Sequence, residues 1–198
     1  MLWLLLTGCA LLRPDRAPLN HQLEREVIAL QMRNEQLRQA VEQCAAQPQP
    51  ALGALHTELL QIFRDTEVTV TRDASSVQVS VPGDLLFASG TTRVRAEAAM
   101  PLDLLGVVLG VHPDVQVEVV GHTDDRSLGG ALRRAHTDNW GLSAARAAAV
   151  ARQLIEAYNV APERLTIAGR GQTQPIADNA TAAGQARNRR IEVRLRAP

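Results

Sequence analysis

The chain has 198 residues, and its 21 basic side chains balance 21 acidic ones, so it carries no net charge at neutral pH. That balance removes the excess basic field a generic DNA or RNA binder needs, and no nucleic-acid partner is expected. All the basic residues are Arg, which leaves planar forks for carboxylates, and 45% hydrophobic with 3% aromatic residues suits one core of roughly 100–150 residues plus appendages.

At the N-terminus, Leu4-Leu5-Leu6-Thr7-Gly8-Cys9 sets small residues directly after an apolar run, and the chain turns polar from Arg13. This is the cleavage logic of an export signal, and Leu6-Thr7-Gly8-Cys9 resembles a bacterial lipobox. The resemblance implies residues 1–8 as signal peptide, Cys9 as the diacylated first residue of a lipoprotein, and residues 9–22 as a tether; two acyl chains anchor stably. Ala10 rather than Asp follows Cys9, which by analogy with proteobacterial lipoproteins favours the outer membrane, facing the periplasm. The stretch before Cys9 carries no basic residue, so the usual charged leading segment is missing from the pattern. A short apolar segment with a free Cys9 fits the same residues, and Leu2 to Leu12 is too short for the roughly 20 residues of a membrane span.

Residues 23–46 read as a coiled-coil helix. Leu23, Leu30, Leu37 and Cys44 recur every seventh residue with Val27, Asn34 and Val41 at the complementary position, an a/d seam. Asn34 at a central a position is of the kind that fixes register in parallel two-stranded coils, so a homodimer is expected, and paired Cys44 side chains could form an interchain disulfide in an oxidising compartment. Arg33 facing Arg38 of a parallel partner opposes it, and a monomeric amphipathic spacer fits the same pattern. Gln47-Pro48-Gln49-Pro50 reads as a stiff linker.

From Ala51 to Gly83 a helix and a hairpin lead in. Leu52, Leu55, Leu59, Leu60 and Phe63 form a helical stripe, then Glu67 to Thr71 and Ser76 to Val81 alternate around Arg72-Asp73-Ala74-Ser75. Ala98, Leu102, Leu105 and Leu109 predict a helix with Pro101 in its first turn; Val115, Val117 and Val119 predict a strand. Ala147, Val150, Ala151, Leu154, Ile155 and Tyr158 predict the clearest amphipathic helix, with Ser143 as N-cap. Leu165 to Ala168 reads as a short strand. Ile191, Val193 and Leu195 alternate with Arg190, Glu192, Arg194 and Arg196, a strand whose charged face can stay wet. The alternation gives an α/β or α+β domain.

Past the strand ending at Val120 comes Gly121-His122-Thr123-Asp124, then Asn139-Trp140-Gly141-Leu142-Ser143-Ala144-Ala145-Arg146-Ala147, then Gly169-Arg170-Gly171, Gln174-Pro175-Ile176-Ala177-Asp178-Asn179, and Asn188-Arg189-Arg190-Ile191-Glu192. These ordered blocks resemble the OmpA-like peptidoglycan-binding domain shared by OmpA, Pal and MotB, over residues 84–198, and Leu85-Leu86-Phe87 with Asn139-Trp140 and the long 125–138 loop look most like the MotB branch. The resemblance implies a β-α-β-α-β-β sandwich with helices on one side of a mixed sheet, no enzymatic activity and no cofactor. It also implies a pocket for the diaminopimelate of cell-wall stem peptides.

That ligand presents a carboxylate and an ammonium on one carbon, so its receptor needs an anion and a cation with a fork. Asp124 and Arg146 supply them, with Arg146 placed in the first turn of its helix, where the dipole welcomes the ligand's carboxylate. A structural ion pair between the same two residues is the plainer alternative. By residue-wise resemblance Thr123, Asn139 and Leu142 line the pocket, and Asn188 and Arg189 close it from the last strand, Arg189 adding a carboxylate contact. A turn residue bonding local backbone also fits Asn188; Arg190 reads as an exposed strand charge, and His122 as satisfying its own loop. Ala88 stands where many members have an acidic residue, which removes one ammonium partner. A metal site built from His122, Asp124, Asp125, His136 and Asp138 is the enzymatic rival, and no metal is expected, because helical His spacing is absent. The expected function is a lipid-anchored, non-covalent tether to peptidoglycan; the alternative is docking to an envelope protein complex of secretion, Tol or flagellar type.

Overall fold

The computed structural model describes residues 17–46, 50–95 and 99–197, in two units of residues 1–47 and 48–198. In the first unit, α1 (Ala17–Ala46) is one uninterrupted helix that begins before the predicted boundary at residue 23. Pro18 falls in its first turn, where a missing N–H costs no hydrogen bond. The seam residues Leu23, Val27, Leu30 and Leu37 are all about half exposed, and Asn34 donates from Nδ2 to its own helix at Leu30 O, 3.3 Å away. Cys9 lies outside the described residues, and of Cys44 only its place in α1 is described.

The second unit opens with α2 (Pro50–Ile62), which buries Leu52, Leu55 and Leu59, with Phe63 just beyond it, while Leu60 of the predicted stripe faces outward. The hairpin comes next as β1 (Thr69–Arg72) and β2 (Ser76–Pro82), antiparallel in register. Asp73 makes its turn by accepting hydrogen bonds at Oδ1 from Ser75 N and Ser76 N. After it stand α3 (Gly83–Leu86), α4 (Ala99–Val111), β3 (Gln116–Gly121), α5 (Gly130–Ala135), α6 (Asn139–Tyr158), β4 (Leu165–Gly169), α7 (Ala182–Asn188) and β5 (Arg190–Arg196).

The strands form one mixed sheet in the order β1-β2-β5-β3-β4, with β3 and β4 parallel and the other neighbours antiparallel. Its core face is built from rows that cross the sheet: Val77, Leu195 and Val117, then Val79, Val193 and Val119. All are buried, and α2, α4 and α6 cover them with Leu52, Leu55, Leu59, Leu102, Leu105, Leu109, Val150 and Leu154. This is the expected α/β (α+β) architecture, with helices on one side of a mixed sheet. Each fully buried Leu or Val side chain contributes about 1.5–3 kcal/mol.

The third row, Val81, Ile191, Gly121 and Gly169, ends in glycines because α6 lies against the sheet there. A side chain at Gly121 would strike the Ser143 carbonyl, and one at Gly169 would come within 2.7 Å of Ala144 N. The close approach lets Ser143 Oγ accept a hydrogen bond from Gly171 N at 3.0 Å. Ser143 is therefore inside the helix and buried. The N-cap is Asp138, whose side chain accepts from Gly141 N at 2.9 Å, which corrects the predicted cap by a full turn. The alternation of apolar residues that marks this helix starts only at Ala147, so the sequence pattern locates its middle and not its start.

The other face of β5 is also a correction. Arg190 and Glu192 are 4% and 3% exposed, so the first half of the strand is buried on both sides, and the charged face stays wet only toward Arg196. A strand between two neighbours can bury charges if they are paired, and here Arg190 Nε and Nη2 donate to Glu192 Oε1 at 2.8 and 2.6 Å.

Gly121→Ala and Gly169→Ala are each expected to lower the unfolding free energy by about 1–3 kcal/mol through overpacking. Gly110→Ala, in a helix with open space around it, should raise it by about 0.4–1 kcal/mol. Urea titration followed by circular dichroism checks both, and neutral behaviour at Gly121 would sink the close-packing account.

Candidate functional site

The chain leaves β3 at Gly121 and continues extended along its neighbours, with His122 N donating to Arg190 O at 3.0 Å and Thr123 N to Gly171 O at 2.9 Å. This pins Asp124 at the mouth of a pocket of about 490 Å³ above the start of α6. Thr123, Asp124, Asn139, Leu142, Arg146 and Arg189 all line it. Asn188 does not.

Arg146 is well inside α6, which starts at Asn139, not in a first turn, so the helix dipole has no part in holding it. Its cation lies 5.1 Å from the centroid of the Phe87 ring, and its Nε and Nη2 donate to Thr91 O at 3.3 and 3.2 Å. Burial lowers its pKa, and the charges of Asp84 and Asp124 act against that fall; a guanidinium stays protonated regardless. Its Nη1 has no hydrogen-bond partner among the described residues and remains available to the pocket.

Asp124 is paired with Arg189, not with Arg146. Its Oδ2 accepts from Arg189 Nη1 at 2.9 Å, and its Oδ1 accepts from Arg126 N at 3.3 Å. The remaining edge of Arg189 makes a forked contact to Asp84, Nε to Oδ1 at 3.3 Å and Nη2 to Oδ2 at 2.7 Å. The Asp84 hydrogen bond is the main reason its pKa is raised. Arg189 therefore bridges two carboxylates at the rim, and it lies at the end of α7 rather than in the last strand.

Asn139 is 8% exposed; its Nδ2 donates to Arg126 O at 3.1 Å and weakly to Asp124 O at 3.4 Å. Those two carbonyl partners fix the amide orientation. Asn139 Oδ1 and Thr123 Oγ1 are buried and have no partner, the state of groups that await a donor or a water. The 125–138 loop, with α5 inside it, walls the outer side of the pocket through Arg126, Leu128 and Leu132.

Asn188 is a correction. It is fully buried and saturated, its Oδ1 accepting from Ile176 N and Ala177 N at 2.8 and 3.0 Å and its Nδ2 donating to Ala177 O and Asn179 Oδ1, both at 2.8 Å. It clamps the 176–179 loop and has no capacity left for a ligand. Arg190 is corrected likewise: it is no exposed charge but one side of a buried cluster. His122 does not satisfy its own loop either. It is 2% exposed, and its Nε2 stands 3.4 Å from Glu192 Oε2. That distance biases the carboxylate, although the ring nitrogens make no well-aligned hydrogen bond. Among the described residues no three His, Cys, Asp or Glu side chains gather to hold a metal.

The sequence pattern misses Asp84, Phe87 and the Thr91 carbonyl as parts of the site. Nothing local marks Asp84; its role arises only because Gly83 N bonds to Arg189 O at 2.7 Å and brings the two chain segments together.

The profile of the OmpA family matches residues 86–189, just over half of the chain and the stretch that builds this pocket. The chain belongs to the OmpA family. It is 37% identical over 133 residues to "Probable lipoprotein YiaD" of Escherichia coli K12, covering 67% of this chain. It spans about half the length of the curated relatives it matches, 57% in the case of YiaD. Among solved structures, the cell wall anchor of the T6SS from Pseudomonas aeruginosa superposes with a TM-score of 0.64 at 38% identity, covering 73% of this chain and 97% of that one. A protein from Desulfovibrio vulgaris described as MotB-like gives 0.71 at 26% identity, over 78% and 96%. The OmpA family fold and its MotB-type variants thus account for the sheet and for the helices beside it.

In this OmpA-family domain the buried cluster of Arg190, Glu192 and His122 is expected to set a pH response. Burial by itself would raise the pKa of Glu192, but the adjoining His122 and the charge of Arg190 bring it from 4.5 to about 2. A carboxylate depressed on folding stabilises above its unfolded pKa, and that contribution fades as pH falls through the folded value. Stability should therefore drop between about pH 4.5 and pH 2. Glu192→Gln is expected to cost on the order of 3 kcal/mol at pH 7 and to flatten the acid limb. Denaturant titrations at stepped pH check it; an unchanged slope in the variant would refute it.

Proposed function

We propose that this chain binds peptidoglycan non-covalently through the diaminopimelate of its stem peptides and tethers the wall to the outer membrane through a lipidated Cys9, facing the periplasm. The observation that carries the reading is the division of labour in the pocket. Arg146 keeps an uncommitted N–H edge, Asp124 and Asp84 bring negative charge, and Thr123 and Asn139 bring buried unpartnered oxygens. A zwitterion placed there sets its carboxylate on Arg146 and its ammonium against Asp124, Thr123 Oγ1 and Asn139 Oδ1, each charge-assisted bond contributing about 1.5–3 kcal/mol. Asp84 takes the part that Ala88 cannot. The names of two relatives, a lipoprotein and a cell wall anchor, support the same reading. The latter belongs to a secretion system, so docking to an envelope complex is the second reading.

Sedimentation of the chain with purified diaminopimelate-type sacculi tests it. Wild type is expected in the pellet, while Asp124→Ala and Arg146→Ala, shown folded by circular dichroism, are expected to lose at least tenfold in affinity. Wild type left in the supernatant would overturn wall binding in favour of protein docking.

The heptad spacing of Leu23, Val27, Leu30 and Leu37 along the unbroken helix α1 supports pairing of two chains in parallel, with Cys44 side by side. In a Cys9→Ser background the oxidised protein should run as a covalent dimer on non-reducing gels, and Cys44→Ser should abolish that band. Two linked pockets on a polymeric wall gain avidity of about a hundredfold or more. Monomers in sedimentation equilibrium with undiminished wall retention would remove the dimer from the account.

A further inference from the structure

Beside the first pocket, on the other side of the 125–138 loop, lies a second open groove of about 460 Å³ lined by Asp125, Arg133, Thr137, Asp138, Trp140 and Gln172, among others. Asn139, Ser127 and Leu128 belong to both, so the two share a wall. Trp140 is 47% exposed. A lone exposed aromatic on a surface means little, but three features set this one apart. The backbone beneath it is held from all sides: Asp138 caps the helix, Asn139 is buried and doubly bonded, and Ser143 Oγ donates to Trp140 O at 2.9 Å. Gly171, at φ +51°, packs against Trp140 N so closely that a Cβ would stand 3.3 Å from it. Finally, the groove that holds the ring is lined mainly by exposed donors and acceptors of both signs, with Leu128 as its one other apolar side chain.

A flat apolar ring bordered by polar groups matches one ligand chemistry well. A pyranose offers an apolar C–H face edged with hydroxyls, and an N-acetyl amino sugar adds an amide that can both donate and accept. A protein partner would ask for a wider apolar patch. We infer that this groove is a subsite for the amino-sugar strand of peptidoglycan, with Trp140 as stacking platform and Asp125, Thr137 and Gln172 as hydroxyl and amide partners. The inference rests on the stem-peptide reading of the first pocket. It is consistent with reach: the diamino acid sits third along the stem, so an extended stem separates it from the sugar by about 10 Å, the scale of two pockets with a common wall. A backbone already fixed beneath the ring limits the freedom lost on binding, which favours affinity.

The test is calorimetric titration of the full chain with two probes: the free diaminopimelate tripeptide, and the disaccharide carrying the same tripeptide. Wild type is expected to bind the disaccharide form about tenfold more tightly. Trp140→Ala should erase that difference and leave tripeptide affinity unchanged, and Trp140→Tyr should restore most of it. Equal affinity of wild type for both probes would overturn the subsite while leaving the stem pocket standing. Loss of both probes in Trp140→Ala would assign the ring a structural role and overturn it as well. If wild type binds neither probe, the wall-binding reading falls and this inference with it.

Discussion

The close approach of α6 to the paired ends of β3 and β4 governs the geometry of the pocket. Without side chains at Gly121 and Gly169, the backbone at Ser143 and Ala144 can lie directly on the sheet, and Ser143 Oγ ties it to Gly171. This fixes the height and rotation of the first two turns of α6. Asn139, Leu142 and Arg146 then fall at successive positions on one face, over the end of β3, where Asp124 arrives. A helix lifted by one methyl group would still cover the core through Val150 and Leu154, but its first turns would no longer address the pocket. Small residues here are a condition of the site more than of the fold.

The sheet has an apolar buried face and a polar face that is buried only around Arg190 and Glu192, and β5 contributes to both. Its odd residues Ile191, Val193 and Leu195 join the apolar rows, and its even residues Arg190, Glu192 and Arg194 form a charge cluster that reaches His122 and Glu118. Burying such a cluster contributes little net stability, since desolvation offsets attraction. What it does contribute is direction. Arg190 Nη2 donates to Gln174 O at 3.2 Å and Asn188 saturates the 176–179 loop, so this network seats the segment whose end delivers Arg189 to the rim of the pocket.

Much of this is legible in the sequence, and the misses share a cause. Period-two alternation finds β2, β3 and β5, and the 3.6-residue stripe finds α2, α4 and the middle of α6, because those patterns record burial on one side. They are silent about a second buried side, so Arg190 reads as exposed although it is paired with Glu192. They are silent about helix starts that are capped by a polar residue and have few apolar ones, so Ser143 looks a better cap than Asp138. The ordered motif blocks bring Thr123, Asp124, Asn139, Leu142, Arg146 and Arg189 to one place. Asn188 travels with its block, yet its own side chain faces the loop. Asp84 is unreadable because its partner lies 105 positions away.

The electrostatics of the pocket bear on how tightly it can hold anything. Asp124 and Asp84 are already engaged by Arg189, and Arg146 already leans on a carbonyl and a ring. The proposed zwitterion would therefore meet carboxylates whose charge is already partly neutralised, and would gain chiefly from the free edge of Arg146 and the unpartnered oxygens of Thr123 and Asn139. A pocket whose charged groups are already held by one another is pre-organised, which limits the cost of ordering, but it forgoes the large gain that a pair of bare charges would give. Such a site suits a ligand presented many times on a polymer, where modest single-site affinity is multiplied by neighbouring contacts and each contact can still be released and remade.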